Sequence, residues 1–144
     1  LLDHRARKRE VRLESKIPGD LPAVTLSEDR LRQVLLNLLL NAIDATFPGG
    51  RVVLRAKHLG DSVELIVSDE GPGVPFELRS EIFEPFFSTR PDNAGGLGLA
   101  ITRRIIQDAG GEIWVSDRDA GGAEFAVRLA TSENQQTASG EGDR

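Results

Sequence analysis

The sequence predicts an α/β (α+β) two-layer sandwich, a mixed and mainly antiparallel sheet covered on one face by about three helices. Three observations carry that expectation. The segments run strand, helix, hairpin, short helix, helix, hairpin. The strand segments alternate moderately between apolar and polar residues, which suits a sheet with one buried face. Two longer segments repeat their apolar residues at helical spacing.

The elements follow in order. Residues 11–14 read as a strand, with 16–22 as its turn region. Ser27 suits an N-cap, and Glu28 and Asp29 fall in the acidic first turn. In LRQVLLNLLLNAIDA, Leu31, Val34, Leu35, Leu38, Leu39, Ala42 and Ile43 keep helical spacing, and Pro48, Gly49 and Gly50 stop the helix. Residues 51–58 and 62–68 are β-rich around a turn at Gly60 and Asp61, a hairpin pattern. A loop at 69–75 leads to a short helix around 78–82. Residues 89–96 carry no strand or helix pattern. Residues 97–109 form a second long helix, with Leu97, Ala100, Ile101 and Ile105 on one face and Gly110 and Gly111 at its end. Residues 112–116 and 123–129 make a second hairpin. Residues 1–8 read as the end of a preceding helical module or linker, 9–130 as one domain, and 131–144 as a disordered polar tail.

The bulk properties narrow the function. The 144 residues carry a formal net charge of -5 and a pI of about 5.1. Nucleic acid is therefore a poor partner, since no net basic field meets a phosphate backbone. No cysteine is present, which excludes disulfides and cysteine–zinc sites and suits a reducing, cytoplasmic setting. No apolar run approaches the roughly 20 residues that span a membrane, so membrane contact by this domain is not expected. The chain opens abruptly at Leu1 and reads as an excised piece.

A polar row lies on the greasy first long helix. Asn37, Asn41 and Asp44 fall within about 60° of one another around its axis. An unpartnered buried amide costs on the order of 1–3 kcal/mol, so the row is either a satisfied network or the wall of a polar site. Asn41 could offer its amide oxygen to Mg²⁺, or make a local surface bond. Asn37 could bind a phosphate or ribose oxygen, brace Asn41, or form a structural bond. Asp69 opens DEGPGV directly after a strand. A carboxylate only accepts hydrogen bonds, so it suits an exocyclic amino group such as that of adenine. Gly71 and Gly73 would let the backbone approach a flat ring, although an ordinary turn favours the same residues. Gly95, Gly96 and Gly98 precede and enter the second long helix, whose free N–H groups attract phosphate. Arg90 could reach a terminal phosphate or simply be solvated. Phe83, Phe86 and Phe87 suggest a satellite core under that loop. His4 and His58 are isolated. Glu28, Glu70, Glu81 and Glu84 are weak general-base candidates, Glu70 the least weak.

Four stretches in order, QVLLNLLLNAIDA, DEGPGV, FEPFFST and GGLGLA, resemble the N box, first glycine box, phenylalanine box and second glycine box of bacterial sensor histidine kinases. The resemblance covers about residues 9–130 and is to their ATP-binding catalytic domain, part of the ATPase group shared with gyrase, Hsp90 and MutL. NAIDATFPGG is most similar to the nitrogen-regulatory type. The resemblance implies that ATP and Mg²⁺ bind here. Asn41 would hold Mg²⁺ and, with Arg90, act in catalysis. Asn37 would line the pocket and Asp69 would read adenine above Gly71 and Gly73. Gly95, Gly96, Leu97 and Gly98 would cradle phosphates under a lid at about 88–96. The γ-phosphoryl group would pass to a histidine on a dimerisation domain absent from this chain. The implied partners are that domain and a response regulator, within a homodimeric full-length protein. An ATP-driven conformational ATPase, a serine kinase of the same fold and a degenerate interaction domain are the alternatives.

The chain departs from the family pattern at four points. Asp44 replaces a common lysine or arginine, Ala94 and Gly95 replace the start of GTGLGL, Glu70 replaces an asparagine, and Ala123 replaces a threonine. No HExxxP-like histidine box is present.

Overall fold

The computed structural model describes residues 2–87 and 98–132. The expected lid loop at 88–96, with Arg90, Gly95 and Gly96, lies outside these residues, as do Leu97 and the tail from 133 onward. Three α-helices are described: α1 (Leu2–Lys8), α2 (Glu28–Ala45) and α3 (Gly98–Asp108). The strands are β1 (Arg12–Lys16), β2 (Arg51–Leu59), β3 (Ser62–Ser68), β4 (Glu112–Asp117) and β5 (Ala123–Ala130). They form one sheet in the order β1-β2-β3-β5-β4. β1 runs parallel to β2, with α2 as the crossover between them, and the other pairs are antiparallel. The two-layer mixed sandwich is thus the fold.

The strand period of two decides which face meets the helices. Val52 and Ala56 of β2, Val63, Leu65 and Val67 of β3, and Phe125, Val127 and Leu129 of β5 share one core with Val34, Leu38 and Ile43 of α2 and Ile105 and Ile106 of α3. The other face carries ion pairs, among them Arg51–Glu14, Arg55–Glu124 and Arg128–Glu64. α2 starts where the sequence indicates: the Ser27 side chain accepts the Arg30 N–H at 3.2 Å. It stops at Thr46, whose backbone and hydroxyl both donate to the Ala42 carbonyl, at 3.0 and 2.8 Å.

Three expectations need correction. The segment around 78–82 is not α-helical; it forms two 3-10 turns, Phe76–Leu78 and Glu81–Phe83. It lies between Pro75 and Pro85, and Glu84 is extended, as a residue before proline prefers. The phenylalanines do not form a satellite core. Phe83 enters the main core edge-on to Phe125 at 6.2 Å, Phe86 is exposed at φ 66°, and Phe87 is half-buried. The buried face of α3 is Leu99, Thr102, Ile105 and Ile106, while Ile101 is exposed. Thr102 can face inward because its hydroxyl donates to the Gly98 carbonyl at 2.8 Å and accepts from Asn37.

Candidate functional site

The C-terminal half of α2, the loop after β3 and the start of α3 enclose a cavity of roughly 360 Å³. That volume fits a small-molecule site. Asn41, Asp44, Asp69 and Gly73 line it, with Phe87, Leu99 and Phe125 as apolar wall.

Asp69 is its best-defined polar group. β3 ends one residue earlier, and the Asp69 N–H donates to the Ala123 carbonyl at 2.9 Å, which fixes the backbone. Its Oδ1 accepts the Gly71 N–H at 2.9 Å and the Ala123 N–H at 3.1 Å. None of these bonds uses Oδ2. The residue is 2% exposed, and burial pushes its carboxyl above the ordinary value, while the Gly71 and Ala123 N–H groups and Arg118 oppose the rise. A buried carboxylate with one oxygen held and one unengaged is a directed acceptor. Ala123 contributes through its backbone, so the missing threonine hydroxyl is not needed to hold Asp69.

The glycines of this loop divide their tasks. Gly73 lines the cavity at φ 78°. Gly71 does not line it; a Cβ there would stand 2.3 Å from the Ala45 carbonyl, so its bareness admits the end of α2. Gly122 is equally constrained, since its Cβ would meet the Asp69 carbonyl at 2.0 Å.

The polar row on α2 splits. Asn41 faces the cavity. Asn37 does not line it; its Nδ2 donates to Thr102 Oγ1 at 3.2 Å and to the Gly98 carbonyl at 3.4 Å, tying α2 to the first turn of α3. Asp44 faces the cavity but is clamped by Arg5, which donates to both of its oxygens at 3.0 and 2.9 Å, with Arg9 at 3.9 Å.

None of Glu28, Glu70, Glu81 and Glu84 lines the cavity. Glu70 is engaged elsewhere, accepting the Arg51 N–H at 2.7 Å and an Arg118 guanidinium N–H at 3.3 Å. The side chain thereby ties β2 to the β4–β5 turn. Thr46, Phe47 and Arg9 line the cavity and were not anticipated. Arg9 had one available signal, a basic run at the start of a chain whose helical polar row ends in the acid Asp44.

Among the described residues no group of three His, Cys, Asp or Glu could hold a metal. Mg²⁺ fits under one condition, that most of its ligands are phosphate and water oxygens with the Asn41 amide oxygen added.

The family model described as "Histidine kinase-, DNA gyrase B-, and HSP90-like ATPase" matches residues 26–133. The chain belongs to this family. It is 39% identical over 128 residues to the adaptive-response sensory kinase SasA of Synechococcus elongatus, covering 86% of this chain and 33% of that protein. It is 36% identical over 129 residues to the sensor histidine kinase ZraS of Escherichia coli, covering 90% of this chain and 28% of that one. The chain thus spans about a third of these relatives. The catalytic domain of histidine kinase ThkA superposes with a TM-score of 0.81 at 33% identity, over 90% of this chain and 85% of that chain. Full-length ShkA in complex with AMPPNP gives 0.79 at 36% identity, over 91% and 28%. No helix among the described residues is long and apolar enough to cross a membrane.

Proposed function

We propose that this chain is the ATP-binding catalytic domain of a sensor histidine kinase, with residues 9–130 as the domain and 1–8 as the end of a preceding helical module. The observation that carries the reading is the buried Asp69 carboxylate, with an unengaged Oδ2, in one cavity with Asn41. Ionised, it accepts from the adenine amino group and repels the carbonyl that guanine presents there. Asn41 holds the Mg²⁺ side of the triphosphate, and Asn37 acts indirectly by fixing the start of α3. Arg90, Gly95, Gly96 and Leu97, which lie outside the described residues, are assigned to the phosphates by their motif. Mg²⁺ held with the help of Asn41 would supply charge neutralisation along the phosphates.

In the transfer, the lone pair of the acceptor imidazole forms a P–N bond with the γ-phosphorus. The bond from that phosphorus to the bridging oxygen breaks, and ADP leaves with its electrons. The nucleophile brings its own lone pair, so a strong general base is less needed than in ATP hydrolysis, and the proton on the other imidazole nitrogen passes to solvent. The chain then serves by positioning. The acceptor histidine belongs to a dimerisation domain, and the phosphoryl group goes on to a response regulator. A neighbour, ThkA, has been solved in complex with the response regulator TrrA, at a TM-score of 0.78 and 33% identity over 91% of this chain and 37% of that one. A homodimeric full-length protein, with this domain cytoplasmic, follows from the same reading.

Calorimetry with ATP, with and without Mg²⁺, tests the proposal. Micromolar-range binding that weakens without Mg²⁺ is expected, and Asn41→Ala should weaken the Mg²⁺-dependent part without unfolding the chain. No binding at millimolar ATP overturns it.

A further inference from the structure

The cavity wall on α2 poses an electrostatic problem. Two carboxylates, Asp44 and Asp69, line a space assigned above to a polyanion. α2 has no basic residue in its last turn. Among the described residues lining the cavity, Arg9 is the one cation.

Arg9 lies between α1 and β1, and it is held. Its Nε donates to the Ile43 carbonyl at 3.3 Å and its Nη2 to the Asp44 carbonyl at 2.8 Å. Both carbonyls belong to the negative end of the α2 dipole, where a cation is favoured. None of these bonds uses Nη1. A guanidinium fixed by two donors presents the rest of its planar fork in a set direction, and such a fork pairs with phosphate oxygens by charge-assisted bonds. Arg5, clamped on Asp44, offsets that carboxylate, and Arg9, 3.9 Å from the same carboxylate, adds a second positive charge beside it.

We propose that Arg9 binds the phosphate chain of the nucleotide, supplying from the segment ahead of β1 the charge that α2 lacks at Asp44. The inference rests on the nucleotide reading of the cavity. It makes the placement of α1 matter to the site, because the Arg5–Asp44 pair and the burial of Ala6 fix the helix from which Arg9 emerges. The simpler role, a cap on the α2 carbonyls, is compatible with the same bonds but would act on stability alone.

The test is affinity for ATP, ADP and adenosine at fixed Mg²⁺, measured on the unaltered chain, Arg9→Gln and Arg9→Lys, with melting curves for each. Arg9→Gln should weaken ATP and ADP about tenfold and adenosine less than twofold. Arg9→Lys, which keeps the charge without the fork, should fall between. Should the glutamine variant not fold, the lysine variant decides: a several-fold loss for ATP with none for adenosine supports the assignment. Equal losses for all three ligands, or no loss for ATP, overturn it and leave Arg9 as a cap. Failure of the unaltered chain to bind any of them removes the nucleotide reading itself.

Discussion

Asp69 serves two opposed ends. Its burial raises the carboxyl pKa, while recognition of an amino group requires the ionised form. Between the unfolded value and the raised folded one, the native state keeps a proton that the unfolded chain has lost. Stability therefore falls as pH rises through that window. Asp69→Asn should flatten this part of the profile and raise the melting temperature at pH 7, since the amide oxygen can still accept from Gly71 and Ala123. The same change should weaken ATP about tenfold by replacing an acceptor with a donor, and narrow the preference for ATP over GTP. In the unaltered chain, ATP affinity should decline as pH falls through the window. Melting curves and titrations across pH check both, and equal binding of ATP and GTP by the unaltered chain would refute the adenine role. Asp69 was legible because an acid closing an apolar strand before Gly-Pro-Gly is chemically conspicuous. The pairing of Asp44 was not, because its partner Arg5 is 39 residues away and nothing local indicates it.

At the scale of elements, the periodic segments were readable and the irregular ones were not. Hydrophobic spacing located α2, α3 and both hairpins. It misplaced the face of α3 because Thr102 counts as polar until Asn37 and the Gly98 carbonyl are seen to satisfy it. It missed the 3-10 turns because their bonds are local and their shape is set by flanking prolines. The Asn37 tie has a measurable value. Asn37→Ala leaves Thr102 Oγ1 one bond short in a fully buried place, and should cost about 1–2 kcal/mol in denaturant unfolding. Amide exchange in the first turn of α3 should accelerate with it, which a bond confined to the helix surface would not cause. Gly71→Ala should cost about 1–3 kcal/mol by forcing α2 from the loop, although Gly71 lines no part of the cavity.

At the scale of the whole molecule, the question is where the acceptor histidine comes from. The chain has two histidines, His4 and His58. Neither lines the cavity. His4 sits on α1, which Arg5 and the buried Ala6 fasten to α2. His58 lies in the β2–β3 ladder opposite Val63. In-line transfer needs the imidazole nitrogen close to the γ-phosphorus and aligned with the leaving oxygen, and small misplacements cost orders of magnitude in rate. Residues fixed in a docked helix and a sheet ladder cannot make that approach without breaking the contacts that hold them. The chain incubated with γ-labelled ATP should therefore not label itself, and His4→Gln should change nothing. Adding a cognate dimerisation domain, with its own histidine free to enter the cavity, should give acid-labile, base-stable phosphate on the added domain. Strong labelling of this chain alone, abolished by His4→Gln, would instead make α1 the phosphoacceptor and require it to leave its place on α2 during the reaction.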